Sequence, residues 1–167
     1  IEFSSGKLLG VEALIRWHHP TWGVLGPDRF IHVAESTNLI IPLGKWVIEQ
    51  ACRQASAWHD GNLPRFPIAV NLSAVQLTDP SLAEHVAEAL RVSGADPAML
   101  EFEITETAVM KNMAEATALL ESLRALGVRL AIDDFGTGYS SLAYLKELPV
   151  DILKVDRAFV KHLPYNR

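Results

Sequence analysis

The sequence predicts an α/β fold in which a parallel sheet or barrel is covered by helices. Short apolar segments alternate along the chain with longer segments whose apolar residues recur at helical spacing. Short turns join them, a pattern typical of repeated β/α units. The predicted strands are 11–17, 67–73, 100–105, 128–133 and 151–156, and the predicted helices are 27–36, 43–59, 80–92, 113–125 and 140–147.

Start and stop signals support these helices in order. Pro27 stands at a first-turn position of the first helix. The second helix has the clearest spacing, with Trp46, Val47, Ile48, Ala51, Cys52 and Ala55 among its apolar residues. Thr78 and Asp79 are cap candidates for the third helix, and Gly127 follows the fourth as a typical stop.

Composition sets limits on the class of protein. The 167 residues suffice for one domain, 1–167, with a substantial core, and 49% hydrophobic residues argue against disorder. Fifteen basic residues stand against 20 acidic ones, a net charge of -5, which does not suggest a protein that coats a nucleic-acid polymer. The lone cysteine, Cys52, cannot form an internal disulfide and fits a reducing compartment.

The first residues suggest a piece of a longer chain, and the absent signal peptide together with the single cysteine fits a cytoplasmic location. No apolar run approaches the ~20 residues that span a bilayer, so we expect no membrane contact by this segment. The first residues, Ile1-Glu2-Phe3-Ser4, have no initiator Met, basic region or signal-peptide core.

Polar residues interrupt every predicted strand, although parallel strands are usually continuous apolar runs. Because side chains alternate along a strand, many of these residues share one face, mostly near the carboxyl end where α/β folds build their sites. Strand-end salt bridges would explain any one of these residues. Polar residues on the same face of all five predicted strands are improbable by chance. The residues are Glu12 and Arg16, Asn71 and Ser73, Glu101 and Glu103, Asp133, and Lys154 and Asp156.

Asp133 and Asp134 form the most informative pair. They end an apolar strand and are followed at once by the glycine-broken loop 135–141. Adjacent carboxylates at the end of a buried strand repel each other and lose hydration, which a bound cation would relieve.

The whole set favours metal-assisted phosphate chemistry. Carboxylate and amide oxygens suit Mg²⁺, Mn²⁺ or Ca²⁺, and so many ligands would serve a pair of ions ~3.5–4 Å apart. Lys154 and Arg16 would supply positive charge for a phosphoryl group. The sequence therefore predicts hydrolysis of a phosphate ester.

Three other motifs are weaker. Asp134-Phe135-Gly136 matches the kinase triplet, but the chain has neither the glycine-rich loop nor the His-Arg-Asp loop that a kinase requires. Gly136-Thr137-Gly138 lacks the third glycine of a dinucleotide-binding loop. His18 and His19 could approach the site, but no His or Cys spacing supports zinc.

A series of motifs, in order, carries a family resemblance. They are Gly10-Val11-Glu12-Ala13-Leu14-Ile15-Arg16-Trp17, Phe30-Ile31-His32-Val33-Ala34-Glu35, Val70-Asn71-Leu72-Ser73, Glu101-Phe102-Glu103-Ile104-Thr105-Glu106, Asp133-Asp134-Phe135-Gly136-Thr137-Gly138-Tyr139-Ser140-Ser141-Leu142 and Asp151-Ile152-Leu153-Lys154-Val155-Asp156. Together they span essentially the whole chain, which resembles the EAL domain family of bacterial cyclic di-GMP phosphodiesterases.

The resemblance implies a fold, a reaction and a set of roles. The fold is a (β/α)₈ TIM-type barrel, and the reaction is hydrolysis of cyclic di-GMP to linear pGpG with two Mg²⁺ or Mn²⁺ ions. The implied metal ligands are Glu12, Asn71, Glu103, Asp133 and Asp134; the catalytic residues are Glu12, Lys154 and Glu106; the substrate contacts are Leu14, Arg16, Asn71, Asp133 and Lys154; and the metal-site and dimerisation loop, 135–141, includes Phe135, Gly136, Thr137, Gly138, Tyr139 and Ser140.

The chain departs from the family pattern at its ends. A complete barrel takes ~250 residues, whereas five or six β/α units are visible here and the last strands, one with a further Glu ligand, are absent. We therefore expect a partial domain that is unstable, aggregation-prone or dependent on a partner chain, with little hydrolysis of its own.

Three hypotheses stay open at this point. The chain is part of a cyclic di-GMP phosphodiesterase, a non-catalytic cyclic di-GMP-binding module, or an interaction fragment without a ligand. The resemblance also implies covalently linked sensor or GGDEF domains in the parent protein and a possible homodimer through the loop 135–141.

Overall fold

A five-stranded parallel sheet forms the centre of the computed structural model, which describes residues 1–2, 4–61, 66–136 and 145–160. The strands are β1 (Val11–Glu12), β2 (Trp17–His19), β3 (Gly23–Leu25), β4 (Ile68–Leu72), β5 (Leu100–Thr105), β6 (Arg129–Phe135) and β7 (Ile152–Val155). The helices are α1 (Ile31–Ser36), α2 (Ile40–Asp60), α3 (Leu82–Ser93), α4 (Glu106–Lys111), α5 (Met113–Ala125) and α6 (Arg157–Val160).

The sheet confirms the predicted α/β class. Its strand order is β1-β4-β5-β6-β7, and every neighbouring pair in it is parallel. β1 and β7 are its two edges among the described strands, so the barrel is incomplete, as expected.

Four of the five predicted strands are confirmed to within two residues, but the prediction for 11–17 is wrong. β1 ends at Glu12, and Trp17 begins an antiparallel hairpin in which β2 pairs with β3. Within this hairpin, His19 stacks on Trp22 at 4.2 Å between ring centroids, and Trp17 meets Phe30, just before α1, edge-on at 5.8 Å. Gly23 has φ +70°, a left-handed conformation that suits the turn.

The predicted helices differ more in their boundaries than in their positions. The prediction 113–125 matches α5, while 43–59 and 80–92 correspond to α2 and α3. The prediction 27–36 is wrong as a single helix, because Phe30, at φ -139°, separates a 3₁₀ turn from α1. The prediction 140–147 falls largely outside the described residues.

Of the predicted cap at Thr78 and Asp79 and the predicted stop at Gly127, only the stop is confirmed, and α4 was not predicted. Thr78 and Asp79 do not cap α3: Asp79 Oδ1 accepts from Ser81 N at 2.9 Å and from Ser81 Oγ at 2.6 Å, forming a turn before the helix. Gly127 does end α5, with φ +89° and its N–H bonded to Arg124 O. The missed helix, α4, begins where the Thr105 side chain accepts a hydrogen bond from Ala108 N at 3.3 Å.

The core lies on one face of the sheet. Alternate residues of the central strands, such as Val70, Phe102 and Leu130, are fully buried and pack with residues of α2, α3 and α5. Cys52 belongs to this core, and burial raises the pKa of its thiol to about 11. The opposite face is left for the polar residues of the strands.

Among the described residues, no helix has the length and hydrophobicity that crossing a membrane requires.

Candidate active site

Strand register brings the predicted polar residues together on the face opposite the core. Asn71 lies beside Glu103 on the neighbouring strand, and Thr105 lies beside Asp133 on the next. Glu12 at the edge pairs with Ala69, two residues before Asn71. Register therefore sets part of the predicted set, namely Glu12, Asn71, Glu101, Glu103 and Asp133, on one face of the sheet.

Two polar contacts organise this cluster. Asn71 Nδ2 donates a hydrogen bond to Glu12 Oε1 at 2.7 Å. The Lys154 ammonium donates to Glu103 Oε1 and also lies 3.5 Å from Glu101 Oε1. Glu103 is 2% exposed and Glu101 is 6% exposed, so one ammonium serves two buried carboxylates.

The electrostatics of the cluster reflect an excess of acids. Burial raises the pKa of Glu103, and the neighbouring charges of Glu12 and Asp133 raise it further, against the lowering effect of Lys154. Burial alone would lower the pKa of Lys154, but its carboxylate neighbours raise it overall. Both shifts mean that the acids are close enough to interact.

The donor set fits a hard divalent cation in its chemistry. Carboxylate and amide oxygens are the ligands that Mg²⁺ and Mn²⁺ prefer, and mutual repulsion of the carboxylates favours added positive charge. In the described part of the chain, however, no three acidic, histidine or cysteine side chains converge as a ready ligand group. One of the proposed ligand carboxylates, Glu103, is bonded to the Lys154 ammonium instead.

Asp134 lies in an unusual backbone conformation beside the cluster. Its φ is +54°, the left-handed region that few non-glycine residues adopt, and the pairing of β6 with β7 is irregular between Ile132 and Phe135. Burial, Asp133 and Asp156 together raise the pKa of Asp134. Such local strain is often found at functional sites.

Glu106 holds the segment that follows. It is 2% exposed, and its Oε2 accepts a hydrogen bond from Gly136 N at 3.0 Å. Phe135 ends β6 opposite Val155. The other predicted loop residues, Thr137, Gly138, Tyr139 and Ser140, lie outside the described residues, so their roles stay predictions.

Leu14 and Arg16 lie apart from the contacts of the cluster. Leu14 lines an apolar cavity of about 410 Å³ together with Ile31, Leu43 and Asn71. Arg16 is exposed, and its guanidinium donates to Ile15 O at 2.9 Å. The structure thus places Leu14 beside one predicted ligand, and it shows no contact between Arg16 and the carboxylates among the described residues.

Sequence reasoning missed Gln76, which is buried next to this cavity. Its Oε1 accepts from Ser73 N at 3.1 Å, while its own N–H donates to Ser73 Oγ at 3.3 Å. A Cβ atom at Gly44 would clash with the side-chain amide of Gln76, so a larger residue there requires this buried amide to move. A glycine inside an otherwise apolar helix was the available signal.

We expect Gly44→Ala to destabilise the protein by about 1–2 kcal/mol. In an exposed helix the same change would stabilise by about 1 kcal/mol, but here the methyl group must displace the buried Gln76 amide. Urea denaturation measures the effect, and Ala57→Gly, at an exposed position of the same helix, reports helix propensity alone. A more stable Gly44→Ala variant would show that Gln76 moves aside at no cost.

A parallel sheet covered by helices on one face and lined with carboxylates on the other defines a class of α/β domain with a candidate site for phosphate chemistry. The chain belongs to the EAL domain family, whose model matches residues 1–167.

Similar proteins carry related descriptions. The chain is 49% identical over 164 residues to the cyclic di-GMP phosphodiesterase NbdA of Pseudomonas aeruginosa. It is 46% identical over 162 residues to the bifunctional diguanylate cyclase/cyclic di-GMP phosphodiesterase MucR of the same organism. These alignments cover 98% and 97% of this chain but only 21% and 24% of the two relatives, which are much longer proteins.

Solved structures agree with the fold. The PaMucR phosphodiesterase in complex with c-di-GMP superposes with a TM-score of 0.89 at 46% identity, covering 96% of this chain and 65% of that one. The FimX EAL domain from Pseudomonas aeruginosa bound to c-di-GMP superposes with a TM-score of 0.82 at 28% identity, covering 90% and 60%.

Proposed function

We propose that this chain is part of a cyclic di-GMP phosphodiesterase that hydrolyses one phosphodiester bond to give linear pGpG. The observation that carries the proposal is the cluster of Glu12, Asn71, Glu103 and Lys154 on one face of the sheet. Family membership and the phosphodiesterase descriptions of NbdA and MucR support the choice of substrate.

The residues of the cluster divide into two roles in this proposal. Oxygens of the acid and amide groups would hold two Mg²⁺ or Mn²⁺ ions, which when bound supply positive charge and lower the pKa of water. The Lys154 ammonium would orient a water molecule or a phosphoryl oxygen from the same face. The proposed ligands are Glu12, Asn71, Glu103, Asp133 and Asp134.

Other residues would position the substrate and the loop. Leu14, beside Asn71 in the apolar cavity, offers a surface for the nucleotide. Arg16 is exposed and can turn toward a phosphate. Glu106 would keep Gly136, and with it the segment after Asp134, in place.

Location and assembly belong to the same proposal. The buried, lone Cys52 supports a cytoplasmic location, where thiols stay reduced. We propose further that linked sensor or GGDEF domains occur in the parent protein and that the loop 135–141 forms a homodimer contact. The much greater length of the curated relatives supports the first of these suggestions.

A cyclic di-GMP-binding module without turnover is the second candidate. The observation compatible with it is the pairing of Glu103 with Lys154, which occupies a carboxylate that a metal ion would need. Binding of cyclic di-GMP in the presence of Mg²⁺ without product formation would support this candidate over the enzyme.

The deciding experiment is chromatography of the products formed from cyclic di-GMP with Mg²⁺, with Mn²⁺ and with a chelator. We expect a form of the chain extended at its carboxyl end, on which the turnover of each variant is measured, to give linear pGpG with either ion and none with the chelator, and the present chain alone to give little. Glu12→Gln, which removes a charge at nearly constant shape, should form no product. Glu84→Gln, in the first turn of α3, serves as the matched control. Equal turnover in the Glu12→Gln variant and the wild type would contradict the proposed site.

A further inference from the structure

Two buried carboxylates of β5 point to the same face, two residues apart. Glu103 lies in register with Asn71 and belongs to the proposed ligand set. Glu101 is one step nearer the amino end of the strand, in register with Ala69 on one side and Arg129 on the other. It therefore lies farther from the carboxyl ends of the strands than the proposed metal ligands do.

Glu101 nevertheless needs a cationic partner. A carboxylate that is only 6% exposed is costly to bury unless it is paired. The Lys154 ammonium, at 3.5 Å, comes from the same face of β7, which is separated from β5 only by β6. The long Lys154 side chain therefore spans a strand to reach both acids.

Sharing the ammonium has a consequence for Glu103. If the oxygens of Glu103 serve a metal ion, Glu103 can hold Lys154 less strongly, because both cations draw on the same carboxylate. Glu101 is not a proposed metal ligand, so no metal ion competes with Lys154 for its oxygens. It remains the carboxylate that can fix the direction of the ammonium.

We propose that Glu101 is a positioning residue that anchors the Lys154 ammonium from a point nearer the amino ends of the strands than the reacting groups. The inference rests on the proposed function, because that function is what assigns Lys154 a role in the reaction. Glu101 touches no reacting group in this scheme and acts only through Lys154.

The kinetic test compares wild type with Glu101→Gln in cyclic di-GMP turnover. We expect kcat to fall by roughly 10- to 100-fold, as for other residues that orient a reactive group, with KM within about twofold. Glu88→Gln is the matched control, since it makes the same change in an exposed ion pair with Arg91 and should leave kcat unchanged. An unchanged kcat in Glu101→Gln would overturn the inference.

A thermal melting cycle with Lys154→Met separates positioning from a general structural role. We expect Glu101→Gln to lower the melting temperature of the wild type by about 2–4 °C, because Lys154 loses a partner. In the Lys154→Met background the same change should raise it, because an unpaired buried carboxylate is removed. Equal shifts in both backgrounds would mean that Glu101 does not hold Lys154, whatever the kinetics.

The two assays also separate this inference from the proposed function. A wild-type extended form that gives no pGpG overturns the proposed function and, with it, the catalytic purpose of Glu101. The melting cycle then still decides whether Glu101 anchors Lys154. Turnover in the wild type together with equal shifts in the cycle leaves the function standing and refutes the anchor alone.

Discussion

Lys154→Met is expected to abolish detectable cyclic di-GMP turnover and to lower the free energy of unfolding by about 3 kcal/mol. The ammonium is shared by Glu103 and Glu101, and its removal leaves two buried carboxylates without a cation. Breaking a buried pair from one side costs roughly 3–5 kcal/mol, and the low end applies because Lys154 is itself 36% exposed. The loss of turnover follows from the loss of its positive charge beside the proposed phosphoryl group.

Two further variants make this result specific. Lys154→Arg keeps the charge but changes its geometry, so it should recover most of the stability and little of the turnover. Lys7→Met makes the same change at an exposed position and should alter neither quantity measurably. Chemical denaturation and product chromatography measure both effects. Turnover in Lys154→Met within a factor of ten of the wild type would exclude Lys154 from the reaction.

The location of the site was predictable because strand alternation is a local property of the sequence. Asn71, Glu103 and Asp133 interrupt otherwise apolar strands, and alternation alone assigns them to the face away from the core. Parallel register then sets the first two side by side. A sequence that repeats polar residues near the strand ends thus predicts a site without any knowledge of long-range contacts.

The finer geometry depends on long-range contacts, which local patterns do not contain. The run 11–17 has good strand character, yet its last residue, Trp17, begins a strand that pairs with Gly23–Leu25 and contacts Phe30 beyond the hairpin. The sharing of Lys154 by Glu101 and Glu103 likewise depends on side chains crossing from β7 to β5, over β6. Neither contact has a signature in the spacing of residues.

The backbone conformation at Asp134 is a further feature that the sequence does not predict. Its left-handed φ of +54° contradicts the local preference of an aspartate in a strand and requires support from elsewhere in the fold. Two residues later, Gly136 N donates a hydrogen bond to Glu106 at the start of α4, which ties the segment after Asp134 to the rest of the fold. The sequence shows that Asp133 and Asp134 are adjacent, but only the fold shows what keeps their backbone in place.

Glu106→Ala should therefore lower both stability and turnover, although Glu106 is not a proposed metal ligand. The change removes the acceptor of the Gly136 N–H, and a hydrogen bond to a charged, buried group contributes about 1.5–3 kcal/mol. We expect a stability loss of that size. We also expect turnover to fall by roughly 100-fold, because misplacing a reacting group by about 1 Å has an effect of that order. Denaturation curves and initial rates at saturating cyclic di-GMP measure the two quantities.

Glu106→Gln separates the hydrogen bond from the charge. The amide oxygen can still accept from Gly136 N, so this variant should retain more stability and more turnover than Glu106→Ala. Glu115→Ala, at an exposed position in the first turn of α5, controls for the loss of a carboxylate near a helix start. If Glu106→Ala unfolds more easily but turns over substrate at the wild-type rate, the bond to Gly136 stabilises the fold without positioning Asp134. If both Glu106 variants lose turnover equally, the charge of Glu106 matters more than its hydrogen bond.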